Sequence, residues 1–230
     1  MSSRRPPFEK IGTVNCSTPR PPAAPNPRAP VPEVPPSERP VSRGRHKMDH
    51  GLAEFKLDVT GQVCADFGCA TGGFTESLLR HGAKSVASID TGYGVLDWKL
   101  RNDARVKVME RTNALHADLA ALGPLDVITV DMSWTPQRLC IPAALGWLTP
   151  GGRIVTLIKP HYEASAAEKQ AYLRAGVLRD DIAEMVAKRV AEQMPQFGAK
   201  CLGLTRSPIR GGDGKSGNLE WLALVERTGK

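Results

Sequence analysis

Cysteine is scarce and scattered in this chain. Its five residues, Cys16, Cys64, Cys69, Cys140 and Cys201, show no C-x-x-C spacing, and no histidine cluster accompanies them. That pattern excludes a zinc site and a disulfide framework as organising devices. Cys64, in an apolar stretch, and Cys140, in a helical one, read as small core residues. Long apolar runs are missing as well: none approaches the roughly 20 residues that span a bilayer, and no signal-peptide core follows Arg4-Arg5. A soluble, cytoplasmic protein with no membrane partner is expected. An Arg-rich, acid-poor start is shared with transit peptides, but the prolines prevent the amphipathic helix those require. No internal repeat is visible.

Apolar periodicity is almost absent from Met1 to Arg45, and twelve of the 19 prolines fall within residues 1–40. A run such as Pro19-Arg20-Pro21-Pro22-Ala23-Ala24-Pro25-Asn26-Pro27 forms neither helix nor sheet ladder. Residues 1–40 therefore read as a disordered, partly polyproline-II tail, and residues 41–230 as one folded domain. Of the net charge of +7, residues 1–47 carry +6, from nine Lys/Arg against three Asp/Glu. Such a tail either tethers RNA through its phosphates, with salt-dependent affinity, or is a solvated linker with no partner.

From Lys47 onward the apolar period alternates between 2 and 3.6, which predicts an α/β domain with an open, mostly parallel sheet. Strands are expected near 62–66, 84–89, 105–109, 126–131, 153–158, 199–205 and 219–225. Helices are expected near 48–56, 73–81, 95–102, 114–121, 136–147 and 179–194. Thr149-Pro150-Gly151-Gly152 reads as a turn, and Gly211 to Gly217 as a flexible hairpin loop.

The most telling stretch is Val63-Cys64-Ala65-Asp66-Phe67-Gly68-Cys69-Ala70-Thr71-Gly72-Gly73-Phe74-Thr75, followed by Ser85-Val86-Ala87-Ser88-Ile89-Asp90. Strand, glycine turn, amphipathic helix and a second strand ending in an acid make one nucleotide-type βαβ half. Ala70 stands where the middle glycine of G-x-G-x-x-G would be, so the spacing favours S-adenosylmethionine over NAD. Asp66 and Gly68 are expected to shape the first turn. Gly72 and Gly73 should admit the methionine end of the cofactor close to the backbone, and Asp90 should hold the ribose hydroxyls. Phe74 is grouped with this cofactor loop, although an aromatic there is more often core than a stacking platform; Trp98 reads as core.

Two charges close apolar runs: Asp131 ends Val127-Ile128-Thr129-Val130, and Lys159 ends Ile154-Val155-Thr156-Leu157-Ile158. Strand ends of a parallel sheet face the ligand crevice. Either the two pair structurally or they flank a reacting group. Trp134, beside Asp131 and before a proline, is a further candidate, as a platform for a splayed nucleotide.

The chain resembles the TlyA (hemolysin-A-like) RNA methyltransferases of the FtsJ-like class of ribose 2′-O-methyltransferases. The resemblance rests on Val41-Ser42-Arg43-Gly44-Arg45-His46-Lys47, Ala70-Thr71-Gly72-Gly73-Phe74-Thr75, Asp90-Thr91-Gly92-Tyr93-Gly94 and Trp98-Lys99-Leu100-Arg101-Asn102-Asp103. It extends through Met109-Glu110-Arg111-Thr112-Asn113, Leu157-Ile158-Lys159-Pro160-His161-Tyr162-Glu163, Gly176-Val177-Leu178-Arg179-Asp180, Ser207-Pro208-Ile209 and Gly217-Asn218-Leu219-Glu220. It implies a Rossmann-like, class I fold of seven strands with the last antiparallel. It also implies a K-D-K-E catalytic tetrad on Lys47, Asp131, Lys159 and Glu220. Asp131 is counted with the cofactor contacts too, and Asn113 falls where this class contacts adenine, although a plain helix cap for 114–121 is the competing reading.

A ribose 2′-hydroxyl is a weak acid, so an amine beside it must accept its proton or favour its loss electrostatically. Lys159 is expected to do so with a pKa lowered by burial and by Lys47, while Asp131 and Glu220 orient the two ammonium groups. The implied activity is S-adenosylmethionine-dependent methylation of RNA, with rRNA or ribosomal subunits as partner and no DNA. The competing class is a noncatalytic module that binds S-adenosylmethionine or RNA in ribosome assembly. Three features depart from the family: a proline-rich stretch in place of an S-four-like RNA-binding domain, a helix-like segment at 164–173 in place of a glycine-rich one, and Trp134 in place of phenylalanine.

Overall fold

The computed structural model describes residues 39–212 and 216–229. The expected tail, apart from its last two residues, and the centre of the Gly211–Gly217 loop lie outside the described residues. In chain order the elements are α1 (Gly44–Phe55), β1 (Val63–Phe67), α2 (Gly73–Arg80), β2 (Ser85–Ile89), α3 (Trp98–Arg101), β3 (Val106–Met109), β4 (Leu125–Val130), α4 (Gln137–Leu145) and β5 (Leu148–Ile158). These are followed by α5 (Pro160–Glu163), α6 (Ala166–Tyr172), β6 (Leu173–Arg174), β7 (Val177–Leu178), α7 (Asp180–Gln193), β8 (Ala199–Arg206) and β9 (Trp221–Arg227).

Seven strands form one sheet in the order β3-β2-β1-β4-β5-β9-β8. Strands β1 to β5 pair in parallel, whereas β9 runs antiparallel to both β5 and β8. This is the expected Rossmann-like class I arrangement with an antiparallel last strand. Because side chains alternate across a strand, each buried strand feeds two cores. Ile154 and Ile158 of β5 join Ile141 of α4 and Val186 of α7 on one face. Val155 and Leu157 join Met48 and Leu52 of α1 and Leu78 of α2 on the other. Near-continuous apolar strands are what a sheet covered on both faces requires.

Three expected elements differ. No α-helix spans 114–121; only a 3₁₀ turn, Ala120–Leu122, forms there. Asn113 and Asp118 each turn a side-chain oxygen onto the backbone amide two residues on, Leu115 at 3.0 Å and Ala120 at 2.9 Å, and these local bonds compete with the helix. The helix expected at 95–102 contracts to Trp98–Arg101, because Glu110 takes the amides of Gly94, Val95 and Leu96. The Thr149–Gly152 turn is absorbed into β5, where the register against β4 shifts and Gly151 adopts φ +81°. The segment 164–173 does form a helix, α6, started by a reciprocal capping box between Ser165 and Glu168. It leads into the small β6–β7 hairpin, which the sequence reading did not anticipate. Trp98 is 75% exposed rather than core.

Candidate active site

The sheet brings the chemically active side chains to one rim. Gly68, Asp90, Asp131 and Lys159 directly follow β1, β2, β4 and β5. Strands β1 and β4 are neighbours at the point where strand order reverses, the usual ligand crevice of an open α/β sheet. Since β9 is antiparallel, its leading end returns to the same rim with Glu220, one residue before Trp221. Lys47 arrives from α1.

Four charged residues meet there as two ion pairs. Lys159 Nζ lies 2.6 Å from Asp131 Oδ1, and Lys47 Nζ lies 2.5 Å from Glu220 Oε2. Glu220 is only 4% exposed, and its carboxylate occupies the space a side chain on Gly211 would need. Lys159 also donates to the Met132 carbonyl at 3.3 Å. The expected depression of the Lys159 pKa does not hold. Burial does push its amine down, but Asp131 at contact distance, followed by Glu220 and Tyr162, outweighs burial and holds the pKa above the ordinary lysine value. Lys159 is therefore a cation in this arrangement.

Two clefts, of about 210 and 370 Å³, share Gly68, Ala70 and Asp131 in their walls. The smaller is bounded by Lys47, Asp66, Gly73, Phe74 and the 209–212 segment. The larger runs past Asp90 and Asn113 to Trp134 and Lys159. Asp90 accepts from Ala70 N at 2.9 Å on Oδ2 and from Gly92 N at 2.7 Å on Oδ1, so both oxygens are oriented and each keeps a free lone pair. Asn113 is exposed at the wall and caps a turn, not a helix. The larger cleft suits a nucleoside better than a pyrophosphate: it offers an oriented carboxylate, a side-chain amide and apolar Ile89, Ala114 and Leu115, with Lys159 as its one lysine or arginine among the described residues.

The glycines of this loop also meet steric demands of the fold itself. Gly68, at φ +82°, has the Asp131 carbonyl oxygen 2.8 Å from where a Cβ would sit, so close approach of two strand ends requires glycine here. The space a Gly72 side chain would need is filled by Leu96 and Leu100, and that of Gly73 by Ser42 and the start of α1. Both serve packing of the protein on itself. Gly73 still borders the smaller cleft, whereas Gly72 is not in either wall. Asp66 is fully buried within β1, where it accepts from Thr75 N at 3.0 Å, Thr75 Oγ1 at 2.7 Å and Thr129 Oγ1 at 2.8 Å. It thereby ties α2 and β4 to β1. Burial pushes its carboxyl up to about 6 despite the three donors. Phe74 is 3% exposed and belongs to the core while touching the smaller cleft.

Sequence reasoning missed two features. Glu110, just past β3, gathers three backbone amides and Arg101 to shape the loop next to Asp90, and these bonds, the Arg101 one foremost, pull its carboxyl down to about 2. An acid at a third strand end was its visible signal. The other is a set of bonds joining Gln137 to β5 and Glu163, for which no local pattern exists. Trp134 is 82% exposed beside Asp131, with its ring centroid 4.8 Å from that of Tyr162. Among the described residues no helix is long and apolar enough to cross a membrane.

Sheet order, antiparallel last strand and the rim at β1 and β4 define a class I methyltransferase of S-adenosylmethionine. The chain matches the FtsJ-like methyltransferase family over residues 40–217 and belongs to that family. It is 38% identical over 183 residues to the Mycobacterium tuberculosis protein named 16S/23S rRNA (cytidine-2′-O)-methyltransferase TlyA, covering 79% of this chain and 66% of that one. It is 40% identical over 195 residues to YqxC of Bacillus subtilis, provisionally named an rRNA methyltransferase, covering 84% and 67%. A solved Streptococcus thermophilus structure, described as a candidate hemolysin, superposes with a TM-score of 0.76 at 38% identity over 83% of this chain and 68% of that one. The chain spans about two thirds of the length of these relatives.

Proposed function

We propose that this protein methylates ribose 2′-hydroxyls of ribosomal RNA in the cytoplasm, using S-adenosylmethionine and the four side chains Lys47, Asp131, Lys159 and Glu220. The observation that carries this reading is the pair of lysine–carboxylate contacts at the rim where the two clefts meet. The methyltransferase family and the rRNA 2′-O-methyltransferase relatives supply the reaction class. Asp90 would hold the ribose of the cofactor, Asn113 would flank its base, and the Gly68, Gly73 and Phe74 side would take the methionine end. Asp66 and Gly72 would shape the loop from beneath.

When bound, the cofactor supplies an electrophilic methyl group on a sulfonium. In the acceptor half, the Lys159 ammonium donates a hydrogen bond to the 2′-oxygen and stabilises negative charge there. Asp131 keeps that ammonium protonated and aimed. The Asp131 carboxylate, or a water beside it, would take the hydroxyl proton as that oxygen acquires the methyl group. Lys47, held by Glu220, adds a second positive charge at the same rim. Holding donor and acceptor in line provides most of the acceleration.

The test is transfer of labelled methyl from S-adenosylmethionine to rRNA or ribosomal subunits. Wild type is expected to label ribose in an RNase-sensitive fraction, and Lys159→Ala to lower the rate by about 10²-fold with cofactor affinity retained. No incorporation into any rRNA or subunit preparation would refute enzymatic function and leave a noncatalytic assembly module. Residues 1–40 would form a separate basic extension that adds electrostatic affinity for RNA to the folded domain at 41–230.

A further inference from the structure

The two segments that carry Asp131 and Lys159 are also joined by a bridge of hydrogen bonds through Gln137. Helix α4 starts at Gln137, and the preceding Pro136 supplies no side-chain cap. The orphan amide of Gln137 donates instead to Glu163 Oε1, 2.8 Å away. Helix N-termini usually take their cap from the residue just before the first turn. Here the carboxylate comes from four residues beyond Lys159. The Gln137 side chain, 3% exposed, is held from the other direction: its Oε1 accepts from Thr156 Oγ1 at 2.7 Å, and its Nε2 donates to the Leu157 carbonyl at 3.2 Å. Gln137 is thus gripped by residues on both sides of Lys159 in the chain. At the opposite end of the same segment, Asp131 N donates to the Phe67 carbonyl at 2.9 Å. The span between these two anchors carries Met132, whose carbonyl receives Lys159.

We propose that Glu163 is a positioning residue for methyl transfer: by capping α4 across the fold, it holds the segment after β4 at the height where Asp131 meets Lys159. This rests on the methyltransferase reading above. Glu163 is half-buried, and burial raises its pKa against the Gln137 amide, Arg138, Lys169 and Arg189. Its contact with α4 is one hydrogen bond accepted by Oε1 from the Gln137 amide at 2.8 Å, and the carbonyl oxygen of glutamine can accept in the same place, so glutamine at this position should serve almost as well.

The experiment compares wild type, Glu163→Ala and Glu163→Gln by two readouts. In hydrogen exchange, Glu163→Ala should exchange faster across residues 132–137 while α2 and β1 keep wild-type protection, and Glu163→Gln should match wild type. In steady-state methylation of rRNA, Glu163→Ala should lose roughly 10- to 100-fold in kcat, the size expected for a displacement of about 1 Å at the reacting groups. KM for RNA and calorimetric affinity for S-adenosylmethionine should change little, and Glu163→Gln should restore kcat. Wild-type exchange and kcat in Glu163→Ala would overturn the proposal, as would a Glu163→Gln variant as impaired as Glu163→Ala. Loss of cofactor affinity in parallel with kcat would overturn it too, by making Glu163 a general stability element. If wild type methylates no rRNA, the functional reading fails, and the exchange comparison by itself decides whether Glu163 holds this segment.

Discussion

Gly68→Ala should damage the molecule through the contact it forces, and Gly61→Ala provides the control. Both glycines have positive φ, +82° and +72°. An added Cβ at Gly61 has nothing within 4 Å, whereas at Gly68 it sits 2.8 Å from the Asp131 carbonyl oxygen and 3.0 Å from its carbon. The left-handed backbone alone costs an L-residue about 1–2 kcal/mol, so both variants carry that penalty. Overpacking against backbone adds about 1–3 kcal/mol at Gly68 only. Asp131 cannot give way freely, because its amide is bonded to Phe67 O at 2.9 Å and its carboxylate contacts Lys159 at 2.6 Å. In a domain of this size about 1 kcal/mol moves Tm by roughly 2–4 °C, so Gly68→Ala should melt several degrees below Gly61→Ala. Any displacement passes to Asp131, so methyl transfer should fall roughly 10- to 100-fold in Gly68→Ala and stay near wild type in Gly61→Ala. Urea and thermal unfolding of both variants, with rRNA methylation assayed well below Tm, measure the two effects. Equal stabilities would refute the reasoning, since backbone conformation would then account for the whole penalty.

Asp90→Ala removes an acceptor whose two oxygens already organise Ala70 and Gly92, and S-adenosylmethionine affinity by calorimetry should fall about 10- to 100-fold; an unchanged Kd would place the ribose elsewhere. Asp66→Asn tests the buried carboxyl that burial raises to about 6. A raised acid pKa means the folded state binds the proton more tightly, so this group's contribution favours folding below about pH 4 and is lost as pH rises through 6, by about 2–3 kcal/mol. Stability of Asp66→Asn relative to wild type should accordingly grow between pH 4.5 and 7, and a difference independent of pH in urea titrations would sink that assignment. Deleting residues 1–40 should weaken RNA binding and flatten its salt dependence while leaving S-adenosylmethionine affinity intact; equal salt slopes for the two chains would show that the extension has no RNA partner.

What the sequence determined by itself is the layout that repeats locally. Alternation of period 2 and 3.6 marked the sheet and its covering helices, because burying two faces of each strand leaves an unbroken apolar run. Acids and a lysine at the ends of those runs marked the rim, since a parallel sheet delivers every strand end to one edge. Tertiary structure decided what those residues do to one another. Lys47 and Glu220 are 173 positions apart and meet at 2.5 Å, and Asp131 holds the Lys159 pKa up although burial and Lys47 together were expected to depress it. Gly72 and Gly73 are small because Leu96, Leu100 and the start of α1 press on them, which a motif compared with nucleotide-binding loops does not disclose. Asn113 and Asp118 dissolved an expected helix by bonding their own backbone, and Glu163 capped a helix that begins 26 residues before it. Periodicity is a property of neighbours along the chain and survives in one dimension. Charge pairing, pKa and the room left for a Cβ depend on distances through space, which exist only once the sheet has brought its strand ends together.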